Sequence, residues 1–298
     1  MVRQYKIHTN LDGTDDKVWD VTNGKVRFYQ PSNLGLQSTN NIWQSNGIGV
    51  MGTRSITQPQ IEFKLETFGE SLEENYRLMK DFINDILNQK FVTLEYQTEI
   101  FQVYADLALA DITKTEGYGK NGTFSEKITF DIVTKWYTYE NLTFDMVQNG
   151  KVLSGKSKIY GGTAPGYYKY VKGTSYTYYG ETNIERLSRW DIKDEIFSFM
   201  GILYPKLPKT PTGVRFLDDI GNEYTAIVFK TEQVQDYILI NTDVNDETYQ
   251  GWKGTTALNL FPVMDFERYR TRIIKKGQME LINLSKAELK IKRKADFV

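Results

Sequence analysis

IEFKLETFGESLEENYRLMKDFINDIL, residues 61–87, carries two periodicities back to back. In its first part Ile61, Phe63 and Leu65 alternate with Glu62 and Lys64, the period of a half-buried strand. Ser71 followed by Glu74 then forms a capping-box pattern, in which the serine hydroxyl accepts an amide of the first turn and the glutamate reaches back. From there Leu72, Tyr76, Met79, Phe82, Ile83, Ile86 and Leu87 recur at three and four, which predicts a helix over about 72–88 with one apolar face. FVTLEY, residues 91–96, is again a strand. No second capped helix follows, so the unit is one helix set inside a mainly β domain and not part of a βαβ series.

Working outward, short β-patterned runs recur along the chain: KVRFYQ (25–30), IFQVYADLAL (100–109), KITFDIV (127–133), YTAIVF (224–229), DYILIN (236–241) and AELKIKR (287–293). Asp12-Gly13, Asn23-Gly24 and Asn121-Gly122 punctuate them as turns. Two stretches break the pattern. PSNLGLQSTNNIWQSNG (31–47) reads as a long polar aperiodic loop around Trp43, and loops of that length in a compact domain usually have a job. Residues 148–188, rich in Gly, Ser, Lys and Tyr, read as an insertion between LTFDMV and DEIFSFMGILYP. KWYTYE (135–140) follows the last strand of the helix-containing unit, placing a domain boundary near residue 135.

Composition bounds the function. A chain of 298 residues suits two domains. Its formal net charge of −1 gives no electrostatic reason to expect a surface for nucleic acid or membrane. Residues 1–135 hold 14 Lys+Arg against 18 Asp+Glu and the remainder 23 against 20, with RYRTRIIKK (268–276) and KIKRK (290–294) read as solvated strand faces. The absence of cysteine excludes disulfides, thiolate catalysis and cysteine-ligated zinc. No stretch of 18 apolar residues occurs, and the N-terminus has no apolar core of a secretory signal.

Each catalytic motif fails on its context. GKVLSGKS (150–157) fits the phosphate-loop spacing, yet Lys156 and Ser157 lead into KIYGGTAPG, where a glycine pair and Pro165 oppose the helix that must hold the phosphates. GYGKNG (117–122) fits a dinucleotide fingerprint but lies between two strands with no helix after it. His8 is the only histidine, so no two- or three-histidine metal site can form. No G-x-S-x-G elbow accompanies it. DVNDETYQG (243–251) lacks the glycine and glutamate of a calcium loop and reads as an acidic surface loop. No carboxylate pair stands out for glycoside hydrolysis. No enzymatic activity, cofactor or metal is therefore expected.

The order of these elements resembles the distal tail protein (Dit) family of long-tailed siphophages infecting Gram-positive bacteria, of the lactococcal type. The resemblance rests on the strand–helix–strand unit quoted first. It rests equally on VYADLALADITKTEGYGKNGTFSEKITFDIVTKWY (103–137), which closes on the Trp136-Tyr137 doublet, and on the β-rich C-terminal half with its early insertion. It implies a mainly β chain: an N-terminal β-sandwich-like ring-forming domain with one helix over 1–135, and a galectin-like β-sandwich over 136–298 carrying an inserted arm at about 146–200. It further implies a homo-hexameric ring in the virion's tail tip or baseplate. The ring would contact the major tail protein, the tail-associated tip protein and receptor-binding protein trimers, and DNA would pass its lumen without specific binding. Trp43 is the candidate ring contact, because a closed ring needs heterologous contacts that projecting loops can make.

A galectin-like sandwich also invites an alternative, a carbohydrate-binding adhesin acting directly on the host wall. The galectin patterns H-x-N-P-R and W-x-x-E-x-R are absent, however, and neither Trp190 nor Trp252 begins the second. GYYKYVKGTSYTYYG (166–180) instead concentrates tyrosine: as a hairpin turning through KGTS it places three tyrosines on each face, where a half-buried hairpin keeps one face polar. Tyrosine offers rigid contact area with a hydrogen-bonding end. Tyr167, Tyr168, Tyr170, Tyr176, Tyr178 and Tyr179 are accordingly the candidate partner-binding residues at the tip of the arm, facing receptor-binding protein.

Overall fold

The computed structural model of the chain describes residues 3–13, 15–35, 37–57, 60–114, 122–144, 146–148, 151–153, 189–230, 235–244 and 246–295. It divides into two compact units, residues 1–138 with 295–298, and residues 139–294.

The first unit contains β1 (Gln4–His8), β2 (Val18–Asp20), β3 (Val26–Ser32), β4 (Gln37–Ser45), β5 (Ile48–Thr57), β6 (Gln60–Thr67), α1 (Leu72–Leu87), β7 (Val92–Gln97), β8 (Gln102–Thr113) and β9 (Ser125–Ile132). Seven of the strands form one antiparallel sheet in the order β3-β6-β9-β8-β7-β1-β2. Its two ends approach each other, since Phe28 N donates to Val21 O at 2.8 Å. Alternation puts Ile61, Phe63 and Leu65 of β6 on the inner face with Ile7, Leu94, Ala105 and Phe130, all essentially without solvent contact.

The capping box forms as its residues dictate. Glu74 N donates to Ser71 Oγ at 3.2 Å, and the Glu74 carboxylate accepts from Glu70 N at 2.7 Å. Asn75, Met79, Phe82 and Ile86 face the core, with the Phe82 ring 5.2 Å from Trp19 and 5.8 Å from Phe28. The expected apolar face is wider than the surface that covers it: Leu72, Tyr76 and Leu87 remain 53%, 62% and 62% exposed. Trp136 is buried and its indole N–H donates to Leu34 O at 3.2 Å. Tyr137 donates to the fully buried Asp106 at 2.7 Å, and Asp106 also accepts from Thr93 Oγ1.

The second unit is a two-sheet antiparallel sandwich. One sheet uses β10 (Tyr137–Phe144), β14 (Ile196–Pro205), β17 (Tyr237–Asn241), β18 (Thr248–Lys253), β19 (Thr256–Asn259) and β21 (Leu284–Lys294), in the order β19-β18-β17-β14-β21-β10. The other orders β13 (Arg189–Ile192), β15 (Thr212–Leu217), β16 (Glu223–Phe229) and β20 (Gly277–Ile282) as β13-β20-β15-β16. Phe199, Leu203, Ile238, Ile240 and Ile291 from the first sheet meet Val214, Phe216, Phe229, Met279 and Leu281 from the second in one core. At Gly201 of β14 no side chain fits, because a Cβ there would lie 2.2 Å from Glu288 O of the neighbouring strand.

Between β10 and β13, β11 (Met146–Gln148) and β12 (Lys151–Leu153) pair as a small antiparallel ribbon. The front of the phosphate-loop match is therefore strand, while Lys156 and Ser157 lie outside the described residues. Residues 189–192 and 196–200 pair within the sandwich sheets, so this portion of the expected arm belongs to the scaffold. The acidic 243–251 stretch is not wholly surface either, because Asp243 is buried against Lys292 at 2.8 Å.

Candidate functional site

Trp43 does not sit in a loop. Residues 37–57 form a β-hairpin in which Trp43 faces Val50, Ser45 faces Ile48 and Ile42 faces Met51. The turn is Asn46-Gly47, both with positive φ (51° and 79°), the type I′ geometry whose twist suits a two-residue connection. A register irregularity lies between Asn40 and Ile42, and across it Arg54 Nε donates to Asn40 Oδ1 at 2.9 Å. The two strands form a sheet of their own.

Five of its side chains are apolar and uncovered. Trp43 is 68% exposed, Ile48 70%, Val50 62%, Ile42 54% and Met51 50%. Trp43, Val50 and Ile48 share one face while Ile42 and Met51 share the other, so neither face is polar. A lone two-stranded hairpin is marginal in water, and an apolar patch of this kind marks an interaction site. The reading of 31–47 as an aperiodic loop failed because both faces carry apolar groups, which removes the alternation that reports a half-buried strand. The Asn46-Gly47 dipeptide was the signal that could have revealed it.

His8 is 8% exposed and lies between two carboxylates. Nδ1 is 2.6 Å from Asp16 Oδ2, and Nε2 is 2.8 Å from Glu95 Oε2. Both ring nitrogens are thereby occupied, leaving neither to activate a hydroxyl. Glu95, 4% exposed, also accepts from Lys6 Nζ at 3.1 Å and Gln102 Nε2 at 2.9 Å. Burial pushes its carboxyl up, but the hydrogen bonds from His8, Lys6 and Gln102 outweigh that and hold it below the usual glutamate range. This cluster joins β1, β7, β8 and the segment before β2, so its role is cohesion.

On the outer face of the six-stranded sheet lies an open groove of about 520 Å³, floored by Leu142, Met200, Ile202 and Leu239 and edged by Asn241, Glu288 and Lys290. The floor is aliphatic, whereas sugar recognition relies on aromatic faces. The tyrosines at 167, 168, 170, 176, 178 and 179 all lie outside the described residues.

Residues 4–133 match the family model for the distal tail protein N-terminal domain, and residues 135–298 match that for the Dit C-terminal domain. The chain belongs to the distal tail protein family. It is 93% identical to the distal tail protein of Lactococcus phage p2 and 90% identical to that of Lactococcus phage SK1, over the full length of both partners in each case. The solved baseplate of phage p2 in its activated conformation with calcium contains a chain that is 93% identical, with complete coverage of both and a TM-score of 0.79. The SPP1 Dit crystal structure, described as a paradigm of hub adsorption apparatus in phages infecting Gram-positive hosts, is only 10% identical. It still aligns over 98% of each chain with a TM-score of 0.52, so the fold outlasts the sequence. As a distal tail protein, this chain is a structural component of the virion's tail tip.

Proposed function

We propose that this distal tail protein closes into a homo-hexameric ring that serves as the hub of the baseplate. The N-terminal unit, taken as residues 1–135, forms the ring. The sandwich over 136–298 presents the insertion that begins near residue 146 to receptor-binding protein trimers. The major tail protein lies above the ring and the tail-associated tip protein below it. The protein acts by holding partners and not by catalysis. A formal net charge of −1 suits a lumen through which DNA slides without being retained.

The observation that carries this reading is the freestanding hairpin with Trp43 68% exposed at its middle. Side chains so exposed need a partner, and a projecting element on one copy that engages a different surface on the next is the heterologous contact from which rings close. Light scattering on the purified chain, followed by negative-stain imaging, tests it. The expected result is a six-fold ring; a monomer at micromolar concentration, alone and with its neighbours, overturns it.

The adhesin alternative draws on the tyrosine enrichment and the lectin-like sandwich, whose outer groove has an aliphatic floor. Calorimetry against host-wall saccharide decides it: measurable heat that is lost in a Leu239→Arg variant would favour direct sugar binding over a scaffold.

A further inference from the structure

The apolar stripe of α1 has outlived the purpose the core gives it. Asn75, Met79, Phe82 and Ile86 face the core, while Leu72 and Leu87 are 53% and 62% exposed and Tyr76 is 62% exposed. With the half-buried Ile83, these form a second line at steps of four, seven and four residues. At about 100° per residue the four fall within about 60° of one another on the helix surface, directly beside the buried side. The Tyr76 ring lies 6.4 Å from that of Phe124, which widens the patch onto the start of β9. An ordinary surface helix would carry polar groups there.

The hairpin and the start of this stripe sit at opposite ends of one strand pair. The hairpin leaves from Ser32 of β3 and returns at Gln60 of β6, while α1 follows Thr67 at the other end of β6, where Thr67 pairs with Val26. β6 spans eight residues, about 26 Å, and sets Leu72 and Tyr76 apart from the base of the hairpin, after which α1 runs back toward the Gln60 level, where β7 begins. Two unlike apolar surfaces whose bases lie at opposite ends of a strand pair suit head-to-tail association with further copies. The charges agree. Residues 37–57 contain one charged side chain, Arg54, whereas α1 carries Glu73 and Asp81 besides Glu74 and Asp85, which pair with Lys25 and Lys17, against Arg77 and Lys80.

We propose that the exposed stripe Leu72–Tyr76–Ile83–Leu87 is the surface on which the Trp43 hairpin of a neighbouring copy lands. The proposal rests on the ring reading and adds the receiving surface to it. Burying Trp43, Ile48 and Val50 against Leu72 and Tyr76 removes apolar area from water on both copies at once. Arg54 is then brought toward the acidic first turn of α1, where Glu73 is exposed.

The chain has no cysteine, so introduced pairs report without background. In the full-length chain carrying Trp43→Cys with Tyr76→Cys, a short bismaleimide should give a covalent ladder of increasing copy number, absent from either single variant. An intact ring by light scattering with no ladder overturns the landing site alone and assigns the stripe to a different partner. Efficient dimers from Trp43→Cys alone would place hairpin against hairpin and also overturn it. A monomeric wild-type chain sinks the ring reading and this proposal with it. Where a cysteine at 43 itself disturbs assembly, Tyr76→Glu serves instead: helix signal by circular dichroism should be retained while the mass falls toward that of one chain. An unchanged ring mass in that variant overturns the proposal.

Discussion

Nε2 of His8 lies 2.8 Å from Oε2 of Glu95, and both residues are more than nine-tenths withdrawn from water. With Asp16 on the other ring nitrogen and Lys6 and Gln102 on the other carboxylate oxygen, β1 is fastened to its neighbours by polar groups at the edge of an otherwise apolar core.

Because the Glu95 carboxyl is held below its ordinary value in the folded chain, it contributes stability above its unfolded pKa of about 4.3. That contribution is lost as pH falls through the lower folded value. Guanidinium denaturation at pH 7 and at successive steps below pH 5 should show wild-type stability declining. Glu95→Gln should begin lower by about 1–3 kcal/mol at pH 7 and decline less steeply. Parallel curves would remove Glu95 from the acid response.

Phe82 is fully buried between Trp19 and Phe28, whereas Leu72 on the same helix is 53% exposed. Phe82→Ala should cost about 3–5 kcal/mol through the cavity it leaves. Leu72→Ala should stay within about 0.5 kcal/mol for the dissociated chain. Chemical denaturation at a concentration where the chain is monomeric checks both, and similar losses at the two positions would contradict the burial pattern.

Trp43 makes no core contact to lose, so Trp43→Ala should leave the midpoint of urea unfolding nearly unchanged in the dissociated chain. Loss of an anchoring aromatic at an interface costs on the order of 2–4 kcal/mol, or roughly 30-fold or more in affinity between copies. Sedimentation velocity across a dilution series reads this as dissociation at higher concentration than wild type. Gly47→Val should act the same way more weakly, since a β-branched residue resists the φ of +79° that the turn needs.

Tyr168→Ala with Tyr170→Ala should leave ring mass intact and weaken capture of receptor-binding protein. Surface plasmon resonance with immobilised ring measures it. Unchanged capture would return the tyrosine block to the role of an aromatic cluster steadying its own hairpin.

What the sequence determined by itself was local. Ser71 and Glu74 announce a helix start because capping satisfies backbone amides within one turn, and Ile61, Phe63 and Leu65 announce a strand because alternation survives wherever one face is buried. The His8 environment was beyond reach, since Glu95 comes from a strand 87 positions away. Burial of Asp243 was hidden for the same reason, its lysine lying on β21. Tertiary structure alone decided which apolar residues the core would use. Periodicity places Leu72, Tyr76, Met79 and Phe82 on one broad face, but only the packing of α1 in the folded unit sets how much of that face is covered. It likewise turned residues 37–45 from part of an apparent loop into one strand of an uncovered hairpin, a form no amphipathic pattern signals. An apolar side chain is written identically whether its partner is its own core or another molecule, and only the folded surface separates the two.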